Sequence, residues 1–214
     1  LNQPQVQKPK LICVTGIDGS GKSTLIRSLQ SAFPFSITIT IWDMMKNPEF
    51  KDSLLFETKQ EIDEYLKLLQ HPARILFLYH CLAQAMSIGA KEASKSNASL
   101  ILLDGYWFKY AASEIAFGAD AQEIIHLAQF FPKPDIVFRL ALDSNVAFSR
   151  KESCSGYECG YEVGDSKTGF VSFQSRSAAA ITNLLISENT QVLDGASSTE
   201  FNLKYCLKEI SKLS

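Results

Sequence analysis

Long apolar runs are missing from this 214-residue chain. Residues 99–103 and 135–142 are too short or too interrupted for the ~20 residues a membrane helix needs, so no membrane partner is expected. Net charge is small as well: 21 basic against 23 acidic residues gives −2, no footprint for nucleic acid or a lipid surface. No apolar stretch precedes Leu11, so the polar, proline-bearing start does not read as a signal peptide. Cysteine is scarce. The five are odd in number and, without a secretion signal, fit a reducing, cytoplasmic setting. Cys13, Cys81 and Cys206 sit in apolar surroundings, as small buried thiols do. Cys154 and Cys159 could close a disulfide or join a metal site, but no nearby Cys or His completes four ligands. No repeat or long linker appears, and no Asn/Thr-Lys-x-Asp element, which argues against a guanine-specific switch.

What is present begins with residues 16–24, Gly-Ile-Asp-Gly-Ser-Gly-Lys-Ser-Thr. Gly16, Gly21, Lys22 and Ser23 meet the G-x-x-x-x-G-K-[ST] pattern of a phosphate-binding loop. Its glycines, Gly19 included, let the backbone curl so that N–H groups, with those of Ser20 and Thr24, point inward at an anion. The following helix adds its positive end. Lys22 can reach the outer phosphates of a nucleotide, and Ser23 can hold Mg²⁺. A strand-like Leu11-Ile12-Cys13-Val14 before the loop and a helical pattern after it supply the required context.

Strand and helix signals alternate in the βαβ manner. Strands are predicted at 11–15, 37–41, 99–103, 135–140 and 191–193. Helices are predicted at 22–32, 52–70, 72–94, 109–117, 121–130, 144–150, 173–185 and 199–210. Residues 151–170, rich in Gly, Ser and charge, read as a flexible excursion. The whole implies one α/β domain over 1–214, a five-stranded parallel sheet flanked by helices, with a lid-like segment at about 150–170.

Ligands of open parallel sheets bind beyond the carboxyl ends of the strands. That selects Asp18, Trp42, Asp43 and Asp104. Asp104, closing a buried strand, is placed to engage Mg²⁺ or else to cap the next helix. Asp18, inside the loop, either orients an acceptor hydroxyl or accepts loop amides. Arg150, Lys151, Lys167 and Arg176 are closing cations or solvated surface charges. The set suits phosphoryl transfer from ATP to a small acceptor, where the protein positions substrates and stabilises spreading charge.

Several segments resemble the thymidylate kinase family of nucleoside-monophosphate kinases. Residues 15–24, Thr-Gly-Ile-Asp-Gly-Ser-Gly-Lys-Ser-Thr, are close to E-G-x-D-G-x-G-K-[ST]-T. Residues 109–118, Lys-Tyr-Ala-Ala-Ser-Glu-Ile-Ala-Phe-Gly, resemble R-Y-x-x-S-x-x-A-Y-Q. Residues 134–143, followed by Val146, Ala147 and Arg150, are similar to the P-D-L strand and the A-x-x-R that enters the lid. Residues 192–196, ending at Ala196, are similar to the segment that approaches adenine.

The resemblance implies a P-loop kinase with a three-layer fold that uses ATP and Mg²⁺ on a nucleoside monophosphate, deoxythymidine monophosphate or a related pyrimidine nucleotide. It implies Lys22, Asp18, Asp104, Lys109 and Arg150 as catalytic residues. Gly16, Gly19, Ser20, Gly21, Lys22, Ser23, Thr24, Arg150 and Ala196 would hold ATP. Ser23 and Asp104 would hold the metal, and Asp18, Trp42, Phe77, Lys109, Tyr110 and Phe117 the acceptor. A homodimer through residues 76–86 is a further implication, although core burial explains that apolar stretch equally. Members carry Asp-Arg-Tyr after the third strand, whereas this chain has Asp104-Gly105-Tyr106. Either the cation has moved to Lys109, or Gly105 marks its loss. An Arg-Glu-Pro-Gly-Gly segment beyond the second strand and an Asp-Arg pair beside His80 are also missing. Those losses leave a nucleoside kinase, another small-molecule kinase or a non-catalytic nucleotide-binding protein as alternatives.

Overall fold

Side chains of a strand alternate between its two faces, so continuous apolar runs demand cover on both sides. The computed structural model describes residues 8–42, 58–162 and 164–213. The rim candidate Asp43 and the start of the helix expected over 52–70 lie outside the described residues. The strands are β1 (Lys10–Gly16), β2 (Ser36–Ile39), β3 (Leu100–Asp104), β4 (Ile136–Ala141) and β5 (Thr190–Asp194). They form one sheet in the order β2-β3-β1-β4-β5, every neighbouring pair parallel. β1 lies at the centre, Ile12 standing opposite both Leu102 and Ile136.

The alternation divides the interior in two. Leu11 and Cys13 join Ile101, Leu103 and Val137 in the larger core. Ile12 and Val14 join Leu100, Leu102, Phe138 and Leu140 in the smaller one. The smaller core is covered by α1 (Lys22–Ala32), through Leu25, Ile26 and Leu29, and by α8 (Thr199–Ile210), through Cys206 and Ile210. The larger is covered by α3 (Ala73–Ser96), α4 (Tyr106–Ala116) and α7 (Ser166–Leu184). Shorter helices complete the chain: α2 (Lys59–Leu68), α5 (Ala121–Leu127) and α6 (Ser144–Ser149). No helix among the described residues is long and apolar enough to cross a membrane. The expected five-stranded parallel sheet with helices on both faces is the fold observed.

Several boundaries differ from expectation for identifiable reasons. β2 ends at Ile39 rather than residue 41, because β3 is its only partner among the described residues and the pairing stops at Ile39–Leu103. α4 starts at Tyr106, not Lys109. Gly105 (φ 73) turns the chain directly after β3, and its N–H donates to the carbonyl of Val14 at 2.8 Å. Tyr106 also has a positive φ of 53, uncommon for a bulky residue. Its hydroxyl is fixed on the Pro132 carbonyl at 2.8 Å. α7 begins at Ser166 instead of residue 173, capped by the Asp165 carboxylate, which accepts from the Thr168 N–H at 3.0 Å.

The stretch expected as a lid contains a short 3₁₀ turn, Tyr157–Cys159, with both end residues buried. Asp63 of α2 holds that turn. Its carboxylate accepts from the N–H groups of Gly156 (3.1 Å) and Tyr157 (2.9 Å), and its carbonyl accepts from the Tyr161 hydroxyl (2.9 Å).

Beneath the turn lies a buried ion pair. Arg74 donates through Nε to Glu114 Oε1 at 2.6 Å and through Nη2 to Oε2 at 3.2 Å. A third donor goes to the Leu69 carbonyl at 3.0 Å. Removing one member of such a pair strands the other charge without water. Glu114→Ala is therefore expected to destabilise the fold by about 3–5 kcal/mol, while joint replacement by Arg74→Met and Glu114→Leu restores most of it. Urea denaturation midpoints of the three chains check this.

Candidate active site

The phosphate loop joins β1 to α1 at the carboxyl edge of the sheet, and its shape depends on close backbone approach. At Gly19 (φ 79) an added Cβ would meet the Ala147 carbonyl oxygen at 2.6 Å. Lys22 is almost fully buried, its ammonium donating to the carbonyls of Gly16 (3.0 Å) and Ile17 (2.7 Å). The Ser20 hydroxyl is buried within the loop without a partner among the described residues. Ser23 Oγ donates to Asp104 Oδ2 at 3.3 Å, bringing the loop hydroxyl and the β3 carboxylate together. Asp104 does not cap α4; Gly105 occupies that position with no side-chain cap.

Asp18 is the electrostatic centre. Its carboxylate accepts from Lys109 Nζ at 2.7 Å and lies 4.0 Å from Lys22 Nζ. Its backbone N–H donates to Gln174 Oε1 at 3.0 Å. Burial pushes this carboxyl up, but Lys109 and then Lys22 outweigh burial and hold it at about 2. Burial also draws the Lys22 ammonium below the ordinary lysine range, with Asp18 pulling the other way. For Lys109 the opposition resolves differently: burial lowers it, yet the Asp18 charge and hydrogen bond raise it overall.

These groups open into a cleft of about 980 Å³. The structure brings Asp18, Gly19, Ser20, Gly21, Lys22, Ser23 and Thr24 to its walls. Trp42, Asp104, Lys109, Tyr110 and Arg150 join them there. Gly16 is buried beneath the loop, where its carbonyl serves Lys22. Arg150 follows α6 and donates to the Gly195 carbonyl at 2.9 Å. Ala196 does not line the cleft; its N–H turns back to Asp194 Oδ1 at 2.8 Å, while Gly195 and Ser197 face the opening.

Two expected acceptor residues also stand elsewhere. Phe77 makes an edge contact with Tyr65 at 5.3 Å. Phe117 packs against Phe173 at 4.6 Å, and the Arg74 guanidinium covers its ring at 3.9 Å. Neither borders the cleft among the described residues. Their aromatic character is used by scaffold contacts, the ordinary fate of large rings. His80 is exposed on α3 and away from the cleft.

The structure adds residues that the motifs did not mark. Gln174 links Asp18 to the Glu158 carbonyl, which accepts from its Nε2 at 2.8 Å. Glu158 in turn pairs with Lys151 at 2.9 Å, and both line the cleft. Arg27 borders the opening. It sits one helical turn beyond Ser23, a spacing that could have marked it; Gln174 carries no comparable signal.

No protein-family model matches the chain. It is 33% identical over 142 residues to "Probable thymidylate kinase 1" of Saccharolobus solfataricus, a match covering 66% of this chain and 69% of that protein. The chain belongs to the thymidylate kinase family. It is also 27% identical over 158 residues to the thymidylate kinase of Leptospira borgpetersenii, covering 68% of this chain and 70% of the relative. Among solved structures, Candida albicans thymidylate kinase superposes with a TM-score of 0.64 at 17% identity, over 96% of this chain and 92% of the other. Deoxyadenosine kinase from M. mycoides, with bound dATP, gives 0.57 at 16% identity over 94% and 98%. At those identities the two structures speak to the fold alone.

Set within that family, the Asp104-Gly105-Tyr106 departure acquires a geometry. A Cβ at Gly105 would lie 3.1–3.2 Å from methylene carbons of Lys109. The Lys109 stem therefore crosses the space above residue 105, and its ammonium arrives in the cleft one helical turn later.

The depressed Asp18 carboxyl also sets a pH dependence. Its folded value near 2 lies below the ordinary 3.8, so its stabilisation is complete above about pH 4 and lost as pH falls toward 2. Between pH 5 and pH 3 the native chain should lose about 1 kcal/mol through this group. Asp18→Asn should lose that much less, whatever its baseline. Urea midpoints measured across the interval provide the check.

Proposed function

We propose that this chain transfers the γ-phosphoryl group of ATP to a nucleoside monophosphate, with deoxythymidine monophosphate the first acceptor to test. The observation that carries the reading is the 2.7 Å Lys109–Asp18 contact inside the phosphate-loop cleft, because it joins an acceptor-side cation to the donor loop. Lys22 is positioned to exchange its two carbonyl partners for phosphate oxygens. Arg150 and Lys151 add positive charge where the transferred group would spread its own. Asp18, held ionised by Lys109, is suited to orient an acceptor hydroxyl.

The donor set also suits Mg²⁺. A hydroxyl and a carboxylate oxygen, Ser23 and Asp104, are the hard ligands this ion takes from protein while phosphate and water supply the rest. Bound there, the ion would neutralise charge on the phosphates. Among the described residues no cluster of three His, Cys, Asp or Glu forms another metal site.

A second reading is favoured by one observation. Lys109 offers a point charge where the family's arginine offers a planar fork, and Gly105 supplies nothing in compensation. A weaker hold on the acceptor phosphate suits a nucleoside or another small hydroxyl compound as acceptor.

Coupled ADP release, measured with each common nucleoside monophosphate and nucleoside, separates the readings. Diphosphate formation is expected; turnover with nucleosides alone selects the second reading, and release with none overturns both. Lys22→Ala should lower kcat/KM on the order of a hundredfold to a thousandfold, as loss of a transition-state contact does, with the urea midpoint close to that of the native chain. Lys109→Ala should raise KM for the acceptor while KM for ATP changes little. An unaltered acceptor response would remove Lys109 from the acceptor site.

A further inference from the structure

Cys154 and Cys159 take no part in the phosphoryl-transfer scheme, yet their sulfurs lie 3.2 Å apart with both thiols free. A disulfide holds its sulfurs at about 2.05 Å, so closure asks for a movement of about 1 Å. The backbone between them is already wound back on itself. The Cys159 N–H donates to the carbonyls of Ser155 and Gly156, both at 3.2 Å.

The turn they bracket borders the cleft. Glu158 precedes Cys159, pairs with Lys151 at 2.9 Å and accepts from the Ser155 N–H at 3.0 Å. Its carbonyl leads through Gln174 to the backbone of Asp18. We propose that Cys154 and Cys159 form a reversible disulfide that locks the Lys151–Glu158 wall and slows turnover.

The two thiols are unequal. Cys154 is half-buried and Cys159 buried. Burial first, and then the hydrogen bond and charge of Cys154, push the Cys159 thiol up to about 12. Cys154 therefore reacts first, and capping it removes the neighbour's share of that shift. With a low-molecular-weight disulfide as oxidant, the Cys154 thiolate attacks one of its sulfurs. The oxidant's S–S bond breaks and one thiolate leaves with the electron pair. Cys159, having lost its proton, attacks Cys154 Sγ and expels the second thiolate. Two protons and two electrons pass from the protein to the oxidant, giving one protein disulfide and two small thiols. Cys13, Cys81 and Cys206 are buried and serve as internal controls.

The covalent step stands apart from the kinase reading; only the effect on turnover rests on it. The full chain is incubated with oxidised glutathione, then analysed by intact mass, peptide mapping and turnover. A mass lower by two hydrogens, a Cys154–Cys159 crosslinked peptide and a several-fold loss of turnover reversed by dithiothreitol are expected. Cys159→Ser should instead hold one glutathione on Cys154, and Cys154→Ser should form no crosslink. Free Cys154 and Cys159 after treatment of the native chain overturn the proposal, as does a crosslink between other cysteines. A crosslinked chain with unchanged turnover overturns the locking role. If no acceptor supports turnover, ATP affinity replaces it as the readout, and equal affinities of the oxidised and reduced chains overturn that role.

Discussion

The Asp18 carboxylate sits in a loop whose other parts gather anions, held by Lys109 at 2.7 Å and approached by Lys22 at 4.0 Å. Inward N–H groups and the positive end of α1 favour phosphate there. An uncompensated carboxylate would compete with that phosphate and repel it. Two lysines remove the conflict, one from the loop and one from α4, while Gln174 fixes the backbone of the acid itself. Asp18, Lys22 and Lys109 are thus one electrostatic unit. A phosphate that draws Lys22 or Lys109 toward itself changes what Asp18 feels.

That unit exists because of the turn between β3 and α4. Gly105 and Tyr106 both take positive φ. This backbone strain persists because the Gly105 N–H is tied to β1 and the Tyr106 hydroxyl to Pro132. The helix consequently starts at once, and residue 109 falls one turn inside it, above the phosphate loop. A Cβ at 105 would crowd the Lys109 stem at 3.1–3.2 Å, in a backbone conformation with φ 73 that favours glycine. The bare position 105 and the course of the Lys109 stem into the cleft are two aspects of one packing arrangement.

The layers were legible because their signals are local. The apolar runs of β1, β3 and β4, the glycines of the loop, and the Asp143 cap of α6 each act within a few residues. The phosphate loop placed Lys22 and Ser23, and strand-end logic placed Asp104. The turn at Gly105 was not legible, since positive φ at Tyr106 is set by hydrogen bonds to residues far along the chain. Gln174 was equally hidden, its role depending on α7 passing both Asp18 and Glu158. Phe77 and Phe117 were assigned by motif position, and motif position does not reveal which face of a ring is already covered. The Gly- and Ser-rich composition of 151–170 pointed outward, while Tyr157, Cys159 and the anchoring carboxylate of Asp63 draw its middle inward.

The placement of Phe117 bears on how the cleft keeps its shape. Its ring lies among Arg74, Tyr157, Tyr161 and Phe173. These side chains come from α3, the 3₁₀ turn and its exit, and α7. Arg74 is oriented for that contact by Glu114, three residues before Phe117 on the helix that presents Lys109. The buried ion pair therefore ties α4, the helix that carries Lys109, to α3 at two points. A desolvated pair gives little net stability. Its directional, two-point geometry gives register, which a purely apolar contact at this site would specify less tightly. A site that depends on one 2.7 Å contact to a helical lysine needs that register more than it needs additional stability.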